Sequence, residues 1–232
     1  MKIDLLARPS MTTADIYLNA GETITAEVGA MIGVSSKIDV TTTTRSISGK
    51  GGFFKGLKRM VSGENFFLNH FTSTVDEQRL LIAPVLVGDI VIHNLKNSTP
   101  LIVQGSSWLA SSGGVDMDTN WQGFGSALLS GESMFWLKLT GEGVALINSF
   151  GGIYQVDVDG EYVVDTGHIV AFEDSLQFNI SKSSSSWLGS FFSGEGIVCR
   201  FKGKGRLYCQ THNPPTFGRT LGSMLKPRED RS

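Results

Sequence analysis

GGFFKGLKRMVSGENFFLNHFTS, residues 51–73, decides how this chain is read, because the Ser-Gly-Glu at its centre returns twice in similar surroundings. The second copy is WQGFGSALLSGESMFWLKLTGEG, residues 121–143, and the third is SSWLGSFFSGEGIVCRFKGKG, residues 185–205. Each passes from glycine and apolar residues through the tripeptide into an alternating stretch, and alternation is the period of a half-buried strand. A fixed order of segments that recurs along a chain is the signature of internal duplication. The three central glutamates are Glu64, Glu132 and Glu195.

Working outward, a second block precedes each copy: AEVGAMIGVSSKIDVTT from Ala26, VQGSSWLASSGGVDMDT from Val103 and VDTGHIVAFEDSLQFNIS from Val164. Gly29, Gly105 and Gly167 each open a short apolar segment that turns into an alternating run. The predicted unit is strand, turn, strand, a glycine-bearing apolar link, then a hairpin. The fold class that follows is all-β, with three internally repeated β-sandwich-like units in a pseudo-threefold arrangement. One compact body over 1–232 is expected, with repeats over about 1–99, 100–160 and 161–222 and a flexible tail at 223–232.

Local turn chemistry adds two hairpin expectations. VDVDGEYVVD, residues 156–165, sets Asp159-Gly160 between alternating apolar positions, a favoured two-residue turn. IVCRFKGKGRLYCQT reads as a hairpin turning at Gly203 to Gly205, which would put Cys199 opposite Cys209. They would be close yet reduced, because paired strand residues hold their Cβ atoms ~4.5–5.5 Å apart where a disulfide prefers ~3.5–4.5 Å. Helix is confined to two short candidates, Phe53 to Val61 and TFGRTLGSMLK near the C-terminal end.

Composition agrees with many short strands. Hydrophobic residues at 41%, charged residues at 18% and 28 glycines suit a packed core with frequent tight turns and exclude a disordered chain. A formal net charge of −2 gives no global field toward nucleic acid or an anionic membrane. In MKIDLLARPS, Asp4, Arg8 and Pro9 interrupt what a signal peptide needs, and no apolar run approaches the ~20 residues of a spanning helix. With only two cysteines, a reducing compartment is expected, and the localisation read is cytoplasmic, extending to a membrane-peripheral position.

Catalytic groups do not assemble. His70, His93, His168 and His212 form no HxxxH pair, and structural roles are expected for them. No GxSxG elbow presents a serine, and SGKGGFFKG lacks the Lys-Ser/Thr ending of a phosphate loop. Asp116 and Asp118 share one face of a strand, but the other units do not repeat the pair. Glu64, Glu132 and Glu195 read as strand-starting turn residues; the sharper alternative gathers them about an axis as a cation site. The reading is therefore of no catalytic residues, no cofactor and no assigned metal. Phe53, Phe54, Lys55, Lys58 and Arg59 of the first link, with Trp187 and Phe191 of the third, form the candidate interaction surface, since aromatics beside basic groups suit an interface.

GGFFKGLKRMVSGENFFLNHFT, GVDMDTNWQGF, VDTGHIVAFEDS and SFFSGEGIVCRFKGKGRLYCQT together resemble the prokaryotic family related to the mitochondrial biogenesis, or altered-inheritance-of-mitochondria, protein. The resemblance runs from about Thr23 to Phe217. It implies a fold similar to the tryptophan RNA-binding attenuator protein, with its unit repeated inside one chain, and a scaffolding role more than catalysis. Fold alone carries no RNA attenuation here, because no lysine-rich contact pattern repeats across the units. The expected function is a non-enzymatic scaffold or interaction protein whose partner is a protein or a membrane surface, with homo-oligomers compatible. The alternative is a small-ligand- or RNA-binding module using grooves between units; RNA has no support in the residues.

Overall fold

The computed structural model describes residues 1–46, 65–119, 121, 135–182 and 197–225. Among them every ladder between strands is antiparallel, in three sheets. The first has the order β1 (Lys2–Leu6), β2 (Thr13–Leu18), β7 (Gln78–Ile82), β4 (Met31–Val34). In the second, β5 (Ile38–Ser46), β6 (Asn65–Ser73) and β3 (Thr23–Glu27) continue into β10 (Trp108–Ser112), β13 (Gly143–Asn148) and β8 (Ile90–Leu95). The third joins β11 (Val115–Asp118), β12 (Trp136–Gly141) and β9 (Leu101–Gln104) to β15 (Ile169–Glu173), β17 (Ile197–Gln210) and β14 (Ile153–Asp165). β16 (Gln177–Lys182) pairs with the first half of β17. The chain is all-β, as its alternating pattern required.

Period two sets the faces. In β3, Ile24 and Ala26 point inward and are buried. Thr23 and Thr25 alternate with them and bond across to Thr72 and to His70 Nδ1, both at 2.8 Å. β9 and β15 are buried along their whole length, and accordingly LIVQ and IVAFE read as near-continuous apolar runs. One core cluster gathers Ile16, Leu18, Leu80 and Ile82 of the first sheet with Ile24, Leu109 and Leu146 of the second. A next cluster gathers Leu95, Trp108 and Ile147 of the second sheet with Val103, Leu137 and Val170 of the third. The last lies on the third sheet around Phe172, Phe201 and Leu207.

Glycine is required where the chain passes closely. A Cβ on Gly105 would strike the Phe135 ring, so the 3-10 turn Gly105–Ser107 can lie against that side chain only without one. In a second 3-10 turn, Thr166–His168, the Gly167 amide donates to the Asp165 carboxylate at 2.8 Å.

Both expected hairpins are overturned by the long ribbon of β14 and β17. The two strands pair without interruption from Ile153↔Gln210 to Asp165↔Val198, with Gly160 directly opposite Gly203. Those two glycines have φ of +111° and +113°, so the turn-forming residues bend a continuous ribbon instead of reversing either strand. Cys199 and Cys209 consequently sit on one strand, up to ~33 Å apart at ~3.3 Å per residue, rather than opposite each other. Cys199 faces Val164 and Ile180; Cys209 faces Tyr154 and Ile169. Both are free, as expected, and both are buried.

The helix expected near the C-terminal end is present as α1 (Pro214–Met224). Asn213 caps it by accepting from Thr216 N at 3.1 Å, and proline occupies its first turn, where a missing N–H is harmless. It buries no residue, and Phe217 rests on Phe150 with ring centroids 5.1 Å apart. Among the described residues no helix is long and apolar enough to cross a membrane.

Candidate interaction surface

The candidate interaction residues and the three repeated glutamates all lie outside the described residues: Phe53, Phe54, Lys55, Lys58, Arg59 and Glu64 between β5 and β6, Glu132 between β11 and β12, and Trp187, Phe191 and Glu195 between β16 and β17. The helix expected at Phe53 to Val61 lies outside them as well. Their flanks are placed. Each of the three segments joins two strands that pair antiparallel, with Ser46 opposite Asn65, Asp118 opposite Lys138, and Lys182 opposite Ile197.

Within the described residues, titratable side chains hold the sheets together. Arg79 donates from Nε (2.7 Å) and a terminal nitrogen (2.9 Å) to the two oxygens of Asp15, and these bonds keep that buried carboxyl below the usual carboxylate range. Burial pushes Asp89 upward, but bonds from Arg8 at 3.0 and 2.9 Å, from Thr12 at 2.7 Å and from the Ile90 amide outweigh it and leave it lowered. Glu173, also buried, takes the Nε of Arg206 at 2.8 Å and the backbone amide of the same residue at 2.9 Å.

The histidines have the structural roles expected of them. His70 bridges Thr25 and Thr43 at 2.8 Å each, and His168 Nδ1 lies 2.8 Å from the Gln210 carbonyl. His212 Nδ1 lies 2.9 Å from Thr211 Oγ1. His93 sits 3.0 Å from the Tyr208 hydroxyl, and burial lowers its pKa to about 4, so it is neutral at physiological pH. Burial raises the Cys199 thiol to about 12 and the Cys209 thiol to about 11, which leaves both protonated and poorly nucleophilic. Asp116 and Asp118 are exposed on one face of β11, and among the described residues no group of three His, Cys, Asp or Glu is placed to hold a metal ion.

What stands open is apolar. In β4, Met31, Ile32 and Val34 are exposed, with Ile32 at 55%, although the strand is four residues of MIGV. Among the described residues β4 pairs only with β7, so its other edge has no described partner strand and lies beside exposed side chains. Such an edge is a template for adding a strand. Val85 and Val87 are also exposed, in the loop that follows β7, the strand paired with β4. Glu27, at the end of β3 just before β4, is pushed up to about 7 by burial. In the sequence this stretch is part of the first copy of the repeated block from Ala26. Its apolar residues read as core, and nothing local to MIGV distinguishes a strand flanked on both sides from one flanked on a single side.

The described residues thus define an all-β protein whose ionisable groups brace its sheets and whose open feature is an apolar sheet edge. The chain belongs to the mitochondrial biogenesis AIM24 family, whose model matches residues 3–212. It is 30% identical over 218 residues to an uncharacterized protein of Streptococcus pyogenes serotype M6, covering 91% of this chain and 86% of that one. It is also similar to a crystal structure of a Streptococcus pyogenes protein, with a TM-score of 0.73 and 26% identity over 97% of this chain and 99% of that one.

Proposed function

We propose that this protein is a non-enzymatic scaffold or interaction protein, and that the outer edge of β4 is a contact through which it assembles. The observation that carries the reading is the exposure of Met31, Ile32 and Val34 on a strand whose far edge pairs with no described strand. Soluble folds blunt open edges with charge, proline or cover, and the four residues of this strand include neither a charge nor a proline. Support of a different kind comes from the described ionisable groups. The buried carboxylates Asp15, Asp89 and Glu173 are each matched to an arginine, the thiols are buried, and the histidines are bonded. A group so held serves the fold before it serves a reaction.

The test is size fractionation of fresh lysate containing the protein or its Ile32→Lys/Val34→Lys variant, with circular dichroism showing that the variant keeps its strand signal. The wild type runs larger than a free chain and the variant runs as a free chain. A wild type that runs as a free chain, or a variant that stays in the same assembly, overturns the proposal.

A further inference from the structure

The partner for the β4 edge follows from how the other sheets are built. β4, β10 and β15 share the same irregularity against their inner neighbours. The register of β4 on β7 shifts between Met31 and Gly33, that of β10 on β13 between Trp108 and Ala110, and that of β15 on β17 between Ile169 and Ala171. Two residues beyond each shift, a side-chain oxygen takes a backbone amide from the inner neighbour. Ser35 Oγ accepts from Arg79 N at 3.1 Å, Ser112 Oγ from Val144 N at 2.9 Å, and Glu173 Oε2 from Arg206 N at 2.9 Å. The three strands therefore occupy one structural position.

Their outer edges differ. β10 docks on β3, pairing Ala110↔Ala26, Ser111↔Thr25 and Ser112↔Ile24. β15 docks on β9 in the matching way, pairing Ala171↔Val103, Phe172↔Ile102 and Glu173↔Leu101. Each junction is closed by one further backbone bond, Gly113 N to Thr23 O at 3.1 Å and Asp174 N to Pro100 O at 2.9 Å. Docking buries these strands: Leu109 and Val170 are fully buried, and each packs into the core cluster that holds the strand it docks on. Their counterpart Ile32 is 55% exposed.

The strand that should receive β4 is also present and also open. Ala26, Val103 and Val164 stand at the same distance before Gly33, Ala110 and Ala171, so the counterpart of β3 and β9 is the second half of β14. Among the described residues β14 pairs only with β17, and Glu161 and Tyr162 on it are exposed. Among the described residues one chain therefore carries two unlike, complementary edges.

We infer that the occupant of the β4 edge is a second copy of this chain, docked head to tail on the β14 edge. The register expected across the junction is Gly33↔Val164, Val34↔Val163 and Ser35↔Tyr162, with Ser36 N donating to Glu161 O of the neighbouring copy. Ile32 enters the core cluster around Phe172 and Phe201 as Leu109 and Val170 enter theirs. A contact between two different surfaces is heterologous, so it closes a ring or extends a filament. This inference rests on the reading of β4 as an assembly edge and adds the identity of its partner.

The experiment co-expresses Val34→Cys and Val163→Cys chains and treats them with a short bis-maleimide, which bridges paired strand positions that a disulfide would strain; Cys199 and Cys209 are buried and stay silent. The mixture gives a covalently linked dimer on a denaturing gel, neither variant alone gives one, and a chain carrying both changes gives a ladder. A dimer from Val34→Cys alone overturns the inference in favour of two like edges pairing. A cross-linked monomer from the double variant overturns it in favour of a chain that closes on itself. No cross-link in the mixture also overturns it, and if the wild type still runs as a β4-dependent assembly in lysate, β4 remains an assembly edge with a different partner.

Discussion

Replacing Glu27 by glutamine should change how stability depends on pH, and the structure gives the sign and size. Burial raises the folded-state pKa of Glu27 from 4.5 to about 7. A carboxyl with a raised pKa binds its proton more tightly in the folded protein than in the unfolded chain. Stability linked to it is therefore present below the unfolded value and is lost as pH rises from about 4.5 through about 7. A shift of about 2.5 units corresponds to roughly 3 kcal/mol, and partial exposure brings the expectation to about 2 kcal/mol. Glutamine is neutral throughout and keeps the shape. Urea unfolding of both proteins at pH 4 and pH 8 measures the effect. The variant's advantage should grow by about 2 kcal/mol between the two pH values. An advantage that is the same at both would show that Glu27 titrates as a solvated carboxylate and that the reasoning from burial is wrong.

Arg79→Met leaves the buried Asp15 carboxylate without its two charge-assisted bonds and should destabilise the protein by about 1–3 kcal/mol at pH 7. Because Arg79 depresses the Asp15 pKa, that loss shrinks as pH falls below the unfolded carboxylate value, which urea titrations at pH 7 and pH 3 follow. Cys199 and Cys209 should resist a thiol reagent in the native protein and both react after unfolding; rapid native reaction would contradict their burial. If the link carrying Phe53, Phe54 and Lys55 meets a membrane, flotation with anionic liposomes should be lost in the folded Phe53→Ser/Phe54→Ser/Lys55→Glu variant. Equal flotation, or none by either protein, removes the membrane version of the interaction.

The strand content was legible because each half-buried strand writes its period into the sequence. Ile24 and Ala26 alternate with Thr23 and Thr25, and the central strands β9 and β15 show as continuous apolar runs. The ribbon was not legible. Asp159-Gly160 and Gly203-Lys204-Gly205 carry the chemistry of positive-φ turns, and the same chemistry serves a bend where two long strands keep pairing. Only the partner strand decides between them, and the partner is distant in sequence. β4 was hidden for the opposite reason. Met31, Ile32 and Val34 have the apolar character of Leu109 and Val170, so they read as interior, while their exposure depends on a neighbouring strand that this chain does not supply among its described residues.

In the proposed assembly the open β4 edge of one copy is covered by another copy. The molar mass of the purified protein, measured by light scattering on a size-exclusion column, tests it directly. The wild type should have the mass of two or more whole chains, and the folded Ile32→Lys/Val34→Lys variant the mass of a single chain. A wild type that emerges as a single chain would contradict it.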